Sequence, residues 1–349
     1  MNLLMCNQTI ERVFEALKKK REGNLQREDI VDVLHKRDDT FEFKRYGARV
    51  TIDEFTEYFM SFEKMKTVQL DNKDLRNHHR YWLDLYANQS RYEQKARAFF
   101  RKLDETAVAS AYKIAVNGFP KGYELDELQL IFTCGIGQSY GYPYKNGIHF
   151  DVLQMLKENR DICFKETLAH EIHHLIYNKN VRPEKHSLIG YFVQCFSGEG
   201  LAVKFTNNVQ GVFSKKFVSD MPENIGVDAF SFAYLNHDFE STYSKFRETI
   251  YRMEDGQIKT FEELDRLFYD YWLDCRVEGQ TKNEVPKLKQ SRLYSLGNDL
   301  WGVLYDVYGM DELYRIVRNP ALFIDKYNRA LDVIGREAYK IRINTTVQK

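Results

Sequence analysis

The chain has 349 residues, 43% of them hydrophobic, and its 51 basic residues are balanced by 51 acidic ones. This composition excludes a disordered chain, and zero formal charge gives no electrostatic basis for nucleic acid or an anionic membrane as a partner. No stretch approaches the roughly 18 uninterrupted apolar residues of a membrane span. The apolar start Met1–Cys6 is too short for a signal-peptide core. Five scattered cysteines (Cys6, Cys134, Cys163, Cys195 and Cys275) lack C-x-x-C spacing and read as buried thiols, so a reducing, cytoplasmic setting is expected.

In chain order, the first 120 or so residues read as helices. Ile10, Val13, Phe14 and Leu17 share one face at helical spacing, and Ile30, Val31, Val33 and Leu34 suggest a second helix. Thr51 and Glu54 form a capping box for a third, carrying Phe55, Tyr58, Phe59 and Phe62. Further helices are expected over 71–87 and 90–105, with Arg76, His78, His79 and Arg80 on a solvated face. The Asn117-Gly118-Phe119-Pro120 break divides a helical N-terminal region, 1–120, from a catalytic region, 121–349. Leu128–Thr133 reads as a strand. A glycine-rich stretch follows, with Gly135, Gly137, Gly141 and Pro143, then an Asn146-Gly147 turn and a returning strand over Gly147–Asp151. Ser139, Tyr140, Tyr142 and Tyr144 make this stretch a candidate substrate-binding hairpin. From about 187 the pattern is helical to the C-terminus. The fold class expected is α+β, mainly α, with a small sheet beside the helix described next.

That helix carries Thr167-Leu168-Ala169-His170-Glu171-Ile172-His173-His174-Leu175-Ile176-Tyr177, and within it H-E-x-x-H. Residues i and i+4 stack on one helix face, so His170 and His174 can reach one ion. Glu171 lies about 100° round the helix, displaced as a ligand but placed as a general base toward water. Leu168, Ile172, Leu175 and Ile176 fall on the opposite side for burial, and Tyr177 and His173 flank the histidine face. A catalytic zinc takes three protein ligands and leaves one position open. A metzincin pattern would need Gly at 177 and His at 180, where Tyr177 and Asn180 stand. Glu199, between Gly198 and Gly200, is the favoured third ligand, because small neighbours allow a close approach to the motif helix. His186, in a polar loop beside Pro183, is its rival.

H-E-x-x-H followed after 20 to 30 residues by Glu199-Gly200-Leu201-Ala202 resembles the gluzincin metallopeptidases, to which thermolysin and the aminopeptidase N relatives belong. The layout Tyr294-Ser295-Leu296-Gly297, Tyr308–Leu313 and Asn319-Pro320 is similar to the C-terminal helices of such enzymes, including a little-characterised family of zinc-dependent peptidases of this length. The resemblance covers roughly 128–330. It implies a zincin-like catalytic domain, Zn2+ as cofactor, a peptide or protein as substrate, His170, His174 and Glu199 as ligands and Glu171 as base. It also implies Tyr294 as the oxyanion donor, with His237 and His186 as alternatives. Two departures stand out. The Gly-x-Met-x-Asn exopeptidase motif is absent, and Val203 occupies the place of thermolysin's Asp four residues after the Glu ligand. A metal-binding protein without peptidase activity, or a hydrolase of a non-peptide bond, would use the same ligands. Oligomeric state is not legible.

Overall fold

The computed structural model describes residues 1–34, 50–134, 142–144, 147–218, 222–223 and 225–343. It is mainly helical with one small sheet, an α+β architecture. Two compact units emerge: one comprises 1–110 and 125–171, the other 111–124 and 172–349.

The first unit holds the sheet. Strands β1 (Asn2–Cys6), β2 (Glu127–Thr133), β3 (Tyr142–Tyr144) and β4 (Gly147–Asp151) stand in the order β1-β2-β4-β3. β1, β2 and β4 run parallel, with Leu3 opposite Leu128 and Leu130 opposite Ile148, while β3 pairs antiparallel with β4. The opening residues are therefore a strand and not part of a helical region. Their partner lies more than 120 residues away, and no local periodicity announces such pairing. Gly147–Asp151 does return antiparallel on β3, while it runs parallel beside β2. Leu128, Leu130, Phe132, Ile148 and Phe150 share one face of the sheet and are fully buried.

Helices α1 (Gln8–Glu22), α2 (Arg27–Leu34), α3 (Ile52–Ser61), α4 (Lys73–Ala87), α5 (Gln89–Lys102) and α6 (Glu105–Val116) precede β2. In α1 the stripe Ile10, Val13, Phe14 and Leu17 is buried as its spacing requires. Thr51 and Glu54 cap α3 reciprocally, Thr51 Oγ1 accepting from the Glu54 N–H and Glu54 Oε2 from the Thr51 N–H. Its rings Phe55 and Phe59 meet Trp82 of α4 edge-on, at 5.6 and 5.3 Å between centroids. The solvated face expected around residue 79 holds for Arg76 and Arg80, but His79 is 1% exposed. Its ring lies 3.0 Å from Tyr58 Oη and 3.1 Å from the Met65 carbonyl, so it belongs to the core.

A short helix α7 (Val152–Lys157) leads to α8 (Phe164–Asn180). Phe164 opens α8 and seats it, its ring 4.9 Å from both Phe99 and Phe150. The second unit contains α9 (Leu188–Thr206), α10 (Ala229–His237), α11 (Phe239–Glu254), α12 (Phe261–Leu267), α13 (Arg292–Arg318) and α14 (Phe323–Val333). α13 is broken at Gly309, whose φ of 78° is left-handed and suits a residue without a Cβ. α9 and α13 touch backbone to backbone: a Cβ built on Gly297 would lie 2.4 Å from the Phe196 carbonyl oxygen, and one on Gly200 would lie 2.2 Å from the Gly297 carbonyl carbon. Trp301 Nε1 donates to the Val193 carbonyl across the same seam at 3.2 Å.

Further along α13, Asp299 is buried and accepts the N–H groups of Phe213 (2.7 Å) and Ser214 (2.9 Å). Burial pushes its carboxyl up to about 6, against the pull of those N–H groups and of Lys204.

Gly297→Ala is expected to lower stability by about 1–3 kcal/mol or more through overpacking, seen as a lower urea midpoint at unchanged slope. Asp299 holds its proton in the folded state to a higher pH than in the unfolded chain, so the unfolded state binds fewer protons and stability falls as pH rises from about 4 to about 6. Asp299→Asn keeps a carbonyl acceptor and is expected to flatten that part of the profile, measured by urea denaturation across the same range.

Candidate metal centre

α8 divides its faces as its apolar spacing dictates. Leu168, Ile172, Leu175 and Ile176 are buried, while His170, Glu171 and His174 are each half-buried. His173 and Tyr177 flank this strip as expected, but both are buried. His173 is fully buried, its ring 4.4 Å from Phe119, and Tyr177 is also inside the core. The reason is aromatic packing, with Phe119 and Phe205 lying against the His173 ring.

Glu199 comes from α9, which begins where Ser187 caps it by accepting the Gly190 N–H. His174 Nε2 and Glu199 Oε2 are 3.1 Å apart, across a separation of 25 residues in sequence. One ligand atom each from His170, His174 and Glu199 lies within 4.8 Å of the other two, and among the described residues this is the one group of three such side chains. Ligands about 2 Å from a tetrahedral zinc stand roughly 3.3 Å apart. Small side-chain adjustments bring two imidazoles and a carboxylate to that spacing, so the donor set fits the ion. Burial opposes the protonated form of His174, but the adjoining Glu199 carboxylate outweighs it and raises the pKa.

The connection between α8 and α9 is fixed by side chains. Gln194 Nε2 donates to the carbonyls of Arg182 and Val317, and its Oε1 accepts the Glu184 N–H. Glu184 in turn accepts N–H groups of residues 185 to 187, which holds its carboxyl below the usual range. His186 sits in this loop, exposed, and is not in the group of three. The glycines beside Glu199 act differently from expectation. Gly198 faces open space, and Gly200 meets α13 and not the motif helix. Tyr294 is half-buried in the first turn of α13, packed on Val203, Val209 and Phe232. His237 is exposed at the end of α10. Of the proposed hairpin, Tyr142 and Tyr144 lie in β3, while Ser139 and Tyr140 fall outside the described residues. One contact escaped the sequence: Tyr177 of α8 is hydrogen-bonded to Ser197 of α9. Neither residue type marks a site, and only their nearness to His174 and Glu199 could have drawn attention.

Two helix-borne imidazoles beside a helix-borne carboxylate form a donor set that could hold a divalent metal ion. Residues 42–332 match the model of the family described as "Putative zinc dependent peptidase (DUF5700)". The chain belongs to this zinc-dependent peptidase family, and Zn2+ is its cofactor. None of the curated proteins and none of the solved structures matches it significantly. No described helix is long and apolar enough to cross a membrane.

Elemental analysis of protein purified without a polyhistidine tag is expected to find about one zinc per chain. His186→Ala is expected to retain the metal, and His174→Ala to lose it on dialysis.

Proposed function

We propose that the chain is a gluzincin-type metallopeptidase with a zincin-like catalytic region over 121–349, in which His170, His174 and Glu199 hold the zinc and Glu171 is the general base. The convergence of the three donors within 4.8 Å, two of them on one helix and the third 25 residues on, carries this reading. Zinc bound there would supply a Lewis acid for the scissile carbonyl and lower the pKa of water.

The residues do the rest. Glu171 follows His170 directly, so its carboxylate projects about 100° round α8, where it can take a proton from the attacking water and pass it to the leaving amine. Its half-buried setting keeps a carboxylate able to accept without a fully solvated shell. As the carbonyl oxygen gains negative charge it needs a hydrogen-bond donor. Tyr294 is the residue we assign to that role, since it opens the helix whose next turn presses Gly297 against Gly200, the neighbour of Glu199. The substrate is a peptide bond in a peptide or protein, as membership of the family supports.

Glu171→Gln is expected to keep the zinc and to lose about 10²- to 10⁴-fold in turnover of an unstructured protein such as casein. Undiminished turnover in that variant would remove Glu171 from the mechanism.

A further inference from the structure

The arrangement of α8 against α9 carries one step more, and it rests on the ligand assignment just proposed. Tyr177 follows His174 by three residues, so it lies on an adjoining strip of the same helix. Ser197 precedes Glu199 by two. Tyr177 Oη and Ser197 Oγ are hydrogen-bonded, and both side chains are buried. Ser197 Oγ also donates to the Gln194 carbonyl at 2.6 Å. A serine hydroxyl has one hydrogen. With that hydrogen committed to Gln194, the tyrosine must be the donor in the first bond, and the chain of bonds runs Tyr177 to Ser197 to the α9 backbone. Burial raises the Tyr177 pKa, which keeps the phenol protonated and able to donate.

This tie joins the two proposed ligand-bearing helices within a turn of His174 on one side and of Glu199 on the other. α9 is also held by the close contact of Gly200 with Gly297. We infer that Tyr177 and Ser197 are positioning residues of the metal centre: their hydrogen bond fixes the separation of α8 and α9, and so presets the reach of Glu199 toward the ion bound by His170 and His174. Groups hydrogen-bonded directly to metal ligands typically change metal affinity by about 10- to 100-fold, and a tie acting one contact further out falls at the lower end of that range. A tie that only stabilised the fold would lower the unfolding midpoint without changing the affinity of the folded protein.

The test is zinc affinity, measured by competition with a chromophoric chelator on metal-free protein shown to be folded by circular dichroism. Tyr177→Phe and Ser197→Ala are each expected to weaken zinc binding about tenfold or more, and the double variant to be no weaker than the worse single one, because both remove the same bond. Tyr314→Phe is the control. It deletes a buried tyrosine hydroxyl that has no hydrogen-bond partner among the described residues and is expected to leave zinc affinity unchanged. Wild-type affinity in both single variants, or losses that multiply in the double, would overturn the inference. If Ser197→Ala does not fold, Tyr177→Phe against Tyr314→Phe decides alone. Absence of zinc binding in the unaltered protein would instead defeat the ligand assignment, a separate outcome.

Discussion

The fixed separation of α8 and α9 is the constraint on which the candidate centre depends. His174 and Glu199 face each other at 3.1 Å only because two helices hold them there. A half-buried carboxylate beside half-buried imidazoles is costly to hold without compensation, since each polar group surrenders water on burial. The His174–Glu199 contact offsets part of that cost, and helix packing holds the two groups in register. Gly200 and Gly297 remove the side chains that would part α9 from α13, and Tyr177 and Ser197 are hydrogen-bonded between α8 and α9. Gln194 binds the α8–α9 connection at one end and the end of α13 at the other. Side chains carried on helices so restrained hold their geometry better than side chains carried on loops.

How much of this was legible depends on the range of the interactions involved. The motif helix could be read because i and i+4 spacing is local, and so could the capping box at Thr51, whose two bonds span three residues. Glu199 was singled out through its glycine neighbours, but those glycines do not approach the motif helix: Gly200 serves a contact with α13, about 100 residues further on, and Gly198 faces open space. Nothing local distinguishes a glycine that packs on one helix from one that packs on another. β1 illustrates the same limit. Asn2–Cys6 is short and half-exposed, and becomes a strand only through its register with Glu127–Ile131.

The histidines sort by a related rule. His79 and His173 both lie in sequence beside other histidines, which invited a surface or flanking reading. Each is in fact buried among aromatic rings, His79 against Tyr58 and His173 against Phe119. An imidazole is small, flat and able to satisfy one or two polar partners, so its burial is decided by the tertiary neighbours and not by its own polarity. His170 and His174 stay half-buried on a strip that half-buried Glu171 adjoins on one side, while His173 and Tyr177 on the other side turn into the core.

In the C-terminal half of α9, charge is buried for a structural purpose. Lys204, five residues after Glu199, is 1% exposed. Its Nζ donates to Ser214 Oγ at 2.7 Å and to the Lys216 carbonyl at 2.5 Å, and stands 3.5 Å from Asp306 of α13. Asp306 accepts the N–H groups of residues 215 and 216, and Asp299 those of 213 and 214. Two carboxylates on α13 and one ammonium on α9 thus organise the same irregular segment. Burial lowers the Lys204 pKa while Asp306 opposes that shift, the balance expected of a charge removed from water beside a counter-charge. Such pairs add little net stability compared with apolar packing, but breaking one strands its partner. An α9 free to slide or rotate on α13 would break several of these bonds at once. The network therefore penalises the motions that would carry Glu199 away from His174, and it does so from outside the centre, with residues that never touch it.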